Sequence, residues 1–257
     1  MPAARRGATD LNGILLVDKP IGMSSHDVVD ALRRLTGEGR IGHAGTLDPA
    51  ASGLLVVCIG PATRLSEQLI GHDKTYLARI AFGSSTSTDD AEGVVLASAE
   101  PPAELTEPDY ARIVLAGFLG PSMQLPPQFS AIKQQGVPAY RKARQGKPVE
   151  LERRPVLIHS IELLSAGDAQ WDIITEVSKG TYVRALARDV GEAVGCPAHL
   201  AELRRLAVGP WRVSEAYTLA ALEEIAACGS DGIRDCLIGP DVTLEMINQG
   251  VGREEGQ

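Results

Sequence analysis

The organisation of this chain follows from the segment Gly42-His43-Ala44-Gly45-Thr46-Leu47-Asp48-Pro49-Ala50-Ala51-Ser52-Gly53, which runs into the apolar residues Leu54-Leu55-Val56-Val57-Cys58-Ile59. Three glycines and a proline in twelve residues predict a shaped loop, because these residues interrupt both helices and central strands. The apolar run after Gly53 is typical of a buried strand that gives the loop a rigid base. The loop contains a single carboxylate, Asp48, and the proline after it favours an extended backbone at that position.

Local chemistry leaves two interpretations of Asp48 open. Asp-Pro begins many ordinary turns, and glycine-rich loops are common in soluble proteins. A carboxylate on a loop with a rigid base is also a common way to present a catalytic group. A short motif of this kind does not choose between the two.

Composition narrows the class of protein. The chain has 257 residues, 44% of them hydrophobic, and no uninterrupted apolar run of the roughly 18 residues that a membrane helix needs. Residues 1–10 contain two arginines with no apolar segment after them, which predicts a loose tail and a cytoplasmic protein rather than a secretory signal. The four cysteines and five histidines are scattered without metal-ligand spacing, so we expect reduced thiols and no bound metal.

The net charge of −8 conceals an uneven distribution. Seven acidic and no basic residues lie between Asp89 and Asp109, and residues 213–257 hold nine acidic and two basic residues, so the rest of the chain carries +6. Five basic and no acidic side chains lie within residues 133–147, namely Lys133, Arg141, Lys142, Arg144 and Lys147. Such a run indicates either an RNA-binding surface or a solvated helix face.

Several segments resemble one known family. The segment from Gly42 to Gly53 closely resembles the signature loop Gly-His-x-Gly-x-Leu-Asp-Pro of the TruB family of tRNA pseudouridine synthases. Further motifs of that family follow in its order over roughly residues 11–212. They are Asp18 to Ser25, Lys74-Thr75-Tyr76, Gly83 to Gly93, Pro126 to Lys133, Ala139 to Gly146, Ser178 to Arg184 and His199 to Gly209, with Ser85 in place of a basic residue and Phe129 in place of a tyrosine.

The resemblance implies a catalytic set. Asp48 matches the family's catalytic aspartate, and Arg184 matches the arginine that pairs with it and keeps it ionised. Tyr76 matches a tyrosine that stacks on the target base and has been proposed to take part in proton transfer, and Leu203 matches a leucine that packs on that base. His43, on the Asp48 loop, is a candidate wedge for extruding the target nucleotide.

The remaining implied contacts are with RNA, and the resemblance implies no cofactor. The residues expected to bind RNA are Lys133, Tyr140, Arg141, Arg144, Lys179 and Tyr182. Without the resemblance, Tyr76 and Leu203 would be assigned to the core, His43 to a polar loop and Arg184 to a helix surface.

The implied fold is α+β: a pseudouridine synthase fold with a mixed, largely antiparallel sheet, flanking helices and a central RNA-binding cleft. We expect a catalytic domain over residues 11–212, then a short helix and an acidic tail over residues 213–257. About 45 residues are too few for the PUA-type domain of longer family members, so we expect that domain to be absent or vestigial.

The implied function is isomerisation of uridine 55 in the T arm of tRNA to pseudouridine by a monomer. Two other classes stay open. A non-catalytic tRNA-binding or tRNA-folding protein would use the same basic surface. A glycoside-type hydrolase with an aspartate nucleophile would need a second carboxylate at the site, which no motif supplies.

Overall fold

The computed structural model describes residues 9–130, 133–134, 137–138, 151–227 and 231–251. The strands are β1 Gly13–Lys19, β2 Ile41–His43, β3 Ser52–Ile59, β4 Lys74–Phe82, β5 Ser84–Thr86, β6 Val95–Ser98, β7 Gly120–Gln124, β8 Lys133–Gln134, β9 Val137–Pro138, β10 Arg154–Gly167, β11 Gln170–Val177, β12 Ala198–Val208 and β13 Trp211–Arg212. The α-helices are α1 Ser25–Thr36, α2 Ser66–Ile70, α3 Pro108–Ala116, α4 Val183–Ala193, α5 Leu219–Ala227, α6 Asp231–Asp235 and α7 Pro240–Val251.

Contacts divide the chain into two compact units. The first unit consists of Met1–Thr75 and Arg204–Gln257, and the second consists of Tyr76–Leu203. None of the helices in the described ranges is long and apolar enough to cross a membrane.

Strand β3 is the centre of the first unit. It pairs antiparallel with β1 and β2, and its first residues lie parallel to β12 at Ser52↔Arg204 and Gly53↔Arg205. Alternate residues of β1 and β3 belong to two different hydrophobic clusters. One cluster also contains residues of α1, α5 and α6, and the other also contains Trp211 and Ile247. Since both faces of β3 are buried, its sequence is a continuous apolar run rather than an alternating one.

Helix α1 begins and ends where its sequence signals indicate. Ser24 is the N-cap and forms a capping box with Asp27, in which each side chain bonds the other residue's backbone N–H. Gly37 ends the helix in the left-handed conformation, with φ of 70°. The capped helix places Ser25, its first residue, against the loop that carries Asp48.

The C-terminal segment contains more helix than the sequence pattern indicates. Helix α5 confirms the predicted short helix, whereas α6 and α7 lie within the segment expected to be an acidic tail. Ile233 and Ile247 are only 2% and 7% exposed, and the backbone of Ile238 exchanges two hydrogen bonds with Ile14 of β1. A few widely spaced apolar residues anchor these helices, and the surrounding acidic residues mask that pattern.

The second unit is a sheet with helices packed on it. Strand β11 lies beside β4 and pairs antiparallel with β10, which pairs antiparallel with β7. Helix α3 packs against β10 and α4. The fully buried Trp171 donates its indole N–H to the carbonyl of Leu105 at 2.8 Å and contacts Phe82 edge to face. The α+β prediction of a mixed, mostly antiparallel sheet with flanking helices is therefore confirmed.

Gly53 is the position where β3 approaches β12 most closely. Its φ is 102°, and a Cβ there would overlap the backbone of Arg205. Gly37 also has a positive φ, of 70°, but open space around it. We predict that Gly37→Ala lowers the free energy of unfolding by about 1 kcal/mol and Gly53→Ala by about 2 kcal/mol more, measured by urea denaturation. Equal losses in the two variants would contradict the close β3–β12 contact.

Candidate active site

The loop between β2 and β3 is held through its backbone by side chains from other elements. The Ser25 hydroxyl accepts a hydrogen bond from the Leu47 N–H at 2.8 Å and donates to the Leu47 carbonyl at 3.0 Å. Lys19, at the end of β1, is completely buried, and its Nζ donates to the carbonyls of Pro20, Met23 and Pro49. Leu47 and Pro49 flank Asp48, so both neighbours of the carboxylate are fixed.

Two adjacent arginines of β12 support the same loop at its ends. Arg205 is 1% exposed and donates to the carbonyls of Leu54 at 2.7 Å and Gly45 at 3.1 Å. Arg204 forms a bidentate ion pair with Asp18 of β1, with N–O distances of 3.0 and 2.7 Å, and also donates to the Ser52 hydroxyl at the end of the loop at 3.4 Å. The loop is therefore fixed at its first glycine turn, at its centre and at its entry into β3.

Asp48 is half-buried on this fixed backbone. Its carbonyl accepts a hydrogen bond from the Ala51 N–H at 3.1 Å, which closes a turn through Pro49. A partly exposed carboxylate at a rigid position can act as a nucleophile, a base or a stabiliser of positive charge. The structure thus confirms the loop and its rigid base that the sequence predicts.

His43 lies on the same loop, at the end of β2, with a ring that is neutral at neutral pH. Burial is the main cause that lowers its pKa below the ordinary 6.5, and the charges of Arg205 and His26 lower it further. Its Nδ1 is buried and, within the described ranges, has no hydrogen-bond partner. An uncharged, half-buried ring suits stacking on a nucleobase.

In the second unit, Tyr76 lies on β4. The strand has the alternating burial that its sequence predicts, and Tyr76 is 9% exposed on the buried face. Tyr76 is therefore a buried residue of β4. Leu203, at the end of the second unit, is partly exposed rather than fully buried.

Arg184 lies in the first turn of α4 and is 6% exposed. Its guanidinium donates to the carbonyls of Thr88 at 3.1 Å and Phe129 at 3.0 Å, and its Nη1 lies 3.3 Å from the Asp90 carboxylate. These contacts exclude the interpretation of Arg184 as a surface residue. They also show that Phe129, the departure from the family's tyrosine, contributes its backbone carbonyl, which any residue would supply.

The start of α4 is tied to the end of β7 by one side-chain amide. Gln124 accepts a hydrogen bond from the Tyr182 N–H at 2.9 Å and donates to the Tyr182 carbonyl at 3.1 Å. This amide fixes Tyr182, the N-cap residue of α4, and with it the start of the helix that bears Arg184. Lys179 lies exposed on the turn before the helix.

Part of the expected RNA-binding set lies outside the described residues. This applies to Tyr140, Arg141 and Arg144, and only the backbone of Lys133, in β8, is described. Among the residues that the structure does describe, no group of three or more metal-ligating side chains is placed to hold a metal ion.

Arg205 and Asp90 are functional residues that the sequence did not predict. Both lie within segments that resemble the family, Asp90 in Gly83 to Gly93 and Arg205 in His199 to Gly209. Asp90 pairs with Arg184, and Arg205 donates a hydrogen bond to the carbonyl of Gly45. Both partners are far away along the chain. The charged residue inside each of these segments was the only sign in the sequence that it has a functional role. Its partner could not be inferred from local spacing.

Comparisons with known proteins match one family over most of this chain. The family description "TruB family pseudouridylate synthase (N terminal domain)" matches residues 33–183, and "tRNA pseudouridylate synthase B C-terminal domain" matches residues 184–244. The tRNA pseudouridine synthase B of Aromatoleum aromaticum is 44% identical over 94% of this chain and 79% of that protein. The protein of the same name from Opitutus terrae is 47% identical over 84% of this chain and 89% of its own.

A solved structure has a similar fold. It is titled "Crystal Structure of a Cbf5-Nop10-Gar1 Complex" and superposes with a TM-score of 0.71 at 26% identity. The alignment covers 92% of this chain but only 62% of the solved chain, so this chain spans less than two thirds of that protein's length.

The lowered pKa of His43 makes a prediction about stability and pH. In the unfolded chain, the side chain of His43 binds a proton below about pH 6.5, whereas in the folded protein burial opposes this protonation. The free energy of unfolding therefore decreases as the pH falls below that value. We predict that the wild type loses more unfolding free energy than His43→Asn between about pH 8 and about pH 5.5, by at most about 1.4 kcal/mol per pH unit. Urea denaturation of both proteins at each pH measures this, and parallel losses would contradict the lowered pKa.

Proposed function

This chain belongs to the TruB family of pseudouridylate synthases, and from that premise we propose that it converts uridine 55 in the T arm of tRNA to pseudouridine. The observation that carries the proposal is the Asp48 loop, whose backbone is fixed on both sides of the carboxylate by Ser25 and Lys19. The tRNA substrate is supported by the names of the similar bacterial proteins. We also propose that the chain acts as a monomer in the cytoplasm and that residues 11–212 form its catalytic domain.

The proposed reaction is an isomerisation that needs no cofactor. The N1–C1′ bond of the uridine breaks, the uracil turns while it stays bound, and C5 forms a new bond to C1′. The proton on C5 is then lost and N1 gains one, so no atom or electron is supplied from outside. Asp48 either attacks C1′ or removes the C2′ proton to give a glycal, and both routes need an ionised carboxylate beside the ribose.

Arg184 is proposed to pair with Asp48. A guanidinium stays protonated and offers five N–H donors, so it serves several acceptors at once and keeps a carboxylate ionised. Its anchoring by Thr88, Phe129 and Asp90 supports this role, because a fixed cation orients its partner without further ordering.

The target uridine has to leave the folded T loop before it can react. We propose that the uncharged ring of His43 fills the space left by the extruded nucleotide. Tyr76 and Leu203 would then hold the uracil between an aromatic and an aliphatic surface. Leu203 is partly exposed, which is compatible with this contact, whereas Tyr76 would contact the base through the 9% of its surface that is exposed.

The surrounding RNA is proposed to be bound by basic and aromatic residues. The positions are Lys179 and Tyr182 before and at the start of α4, together with Lys133, Tyr140, Arg141 and Arg144. Lysine and arginine neutralise phosphates, so we expect the affinity for tRNA to fall steeply with salt concentration. The acidic net charge of the chain does not oppose this, because its acidic residues are concentrated elsewhere in the sequence.

Replacing Asp48 tests the catalytic assignment. We predict that Asp48→Asn lowers the rate of pseudouridine formation by at least about 1,000-fold and leaves the affinity for tRNA within about threefold, because it removes the charge but keeps the shape. Release of tritium from tRNA labelled at uridine C5 measures the rate, and a gel-shift titration measures the affinity. Asp30→Asn, on the exposed side of α1, is the matched control and should keep the wild-type rate.

The same experiment separates the alternatives. An Asp48→Asn protein that forms pseudouridine at the wild-type rate would contradict the catalytic assignment. Free uracil in the supernatant of the wild-type reaction would instead identify a hydrolase. Tight tRNA binding with no conversion by either protein would leave a tRNA-binding or tRNA-folding protein.

A further inference from the structure

Helix α4 carries two arginines one turn apart, and both hold the same two segments of the second unit. Arg184 bonds the carbonyls of Thr88 and Phe129. Arg188 pairs with the Asp89 carboxylate at 2.9 Å and donates to the Leu125 carbonyl at 2.8 Å. Arg184 therefore contacts two residues of the turn at 88–90, Thr88 and Asp90, and Arg188 contacts one, Asp89, while each arginine also contacts one residue of the segment at 125–129.

The turn at 88–90 adopts a conformation that costs free energy. Asp89 has φ of 60°, in the left-handed region that disfavours residues with a Cβ, although aspartate and asparagine adopt it more readily than most. Its side chain is only 16% exposed, and that of Arg188 is 20% exposed. Burial raises the pKa of the Asp89 carboxyl, and the charge of Arg188 opposes that rise. The ion pair with Arg188 thus compensates for a strained backbone and a buried charge at one residue.

This strained turn brings two neighbouring carboxylates to two different arginines. Asp89 points to Arg188, and the next residue, Asp90, points to Arg184 at 3.3 Å. Backbone hydrogen bonds on either side of Asp90 join the turn to β12, since the Leu200 N–H donates to the Asp89 carbonyl and the Ala91 N–H donates to the Leu200 carbonyl. Asp89, which Arg188 holds, therefore lies between the two residues of the turn, Thr88 and Asp90, that contact Arg184.

We propose that Arg188 is a positioning residue, which acts through Asp89 to hold the turn at 88–90 in the conformation that orients Arg184. Arg188 itself contacts no reacting atom. Its catalytic consequence rests on the proposed function, in which Arg184 steadies the catalytic carboxylate. A displacement of a catalytic group by about 1 Å can cost up to about 100-fold in rate, so a support of this kind has a measurable effect.

The test compares single-turnover rate constants at saturating enzyme. Arg188→Met keeps the aliphatic length and removes the ion pair, and Asp89→Asn keeps a residue that tolerates the left-handed region. We expect the rate constant to fall by about 10-fold to 100-fold in Arg188→Met, with the affinity for tRNA within about threefold. The double variant should be no more than about twofold slower than Arg188→Met, because both changes remove the same interaction.

The matched control is Arg79→Met. Arg79 also pairs with two carboxylates of the second unit, Asp172 and Glu202, each at 2.7 Å, but it does not bond the turn at 88–90. We expect its rate constant to stay within about twofold of the wild type. A purely structural loss lowers the fraction of active enzyme, and at saturating enzyme this does not change the single-turnover rate constant. Equal rate constants in the Arg188→Met and Arg79→Met proteins, or additive effects of Asp89→Asn and Arg188→Met, would overturn the proposal.

Hydrogen exchange tests the positioning independently of the reaction. The amides of Asp89, Ala91 and Leu200 are hydrogen-bonded at the turn, and we expect Arg188→Met to accelerate their exchange at least about 10-fold relative to Arg79→Met. Unchanged exchange at these amides would overturn the proposal even if the rate fell. Accelerated exchange together with a wild-type protein that forms no pseudouridine would contradict the proposed function alone.

Discussion

Two buried cations hold the backbone on which Asp48 lies, and the rest of the site depends on them. Lys19 and Arg205 are 0% and 1% exposed, and both donate to backbone carbonyls at or next to the loop. A buried charge costs several kcal/mol unless hydrogen bonds replace its water, so these carbonyls have to remain in place. This requirement agrees with the composition of the loop, because glycine at 53 lets the backbone approach that of Arg205 closely and glycine at 45 adopts a φ of 98°. The free energy needed to bury these two charges beside the single carboxylate Asp48 is consistent with a functional role for Asp48.

In the second unit, too, cations fix an irregular segment of the backbone through hydrogen bonds. Arg184 and Arg188 are bound by carbonyl oxygens, as Lys19 and Arg205 are, and in addition by the carboxylates of Asp90 and Asp89 from the distant turn at 88–90. In each unit a short irregular segment is fixed by cations from a neighbouring regular element, from β1 and β12 in the first and from α4 in the second. Guanidinium groups suit this role because their planar donors serve several acceptors at once.

Much of the fold could be predicted from local patterns, and the contacts that build the site could not. The capping box at Ser24, the alternation along β4 and the apolar run of β3 each depend on neighbouring residues, so the sequence reveals them. The contact of Arg205 with Gly45 joins residues that are 160 positions apart, and no spacing rule reaches that distance. The family resemblance named Asp48 and Arg184, but the residues that fix them, including Asp90, became evident only from their contacts. The helices after residue 227 were not predicted because glycines and acidic residues interrupt the apolar residues that anchor them.

The central claim is that this fixed carboxylate serves the isomerisation of one uridine. Mapping pseudouridine at single-nucleotide resolution in unmodified tRNA, after incubation with the purified chain alone, tests it most directly. The account predicts one new pseudouridine, at position 55 of the T arm, with no added metal or cofactor, and none when that position is a cytidine. A complete absence of pseudouridine, or its appearance at other uridines while position 55 stays unmodified, would contradict the account.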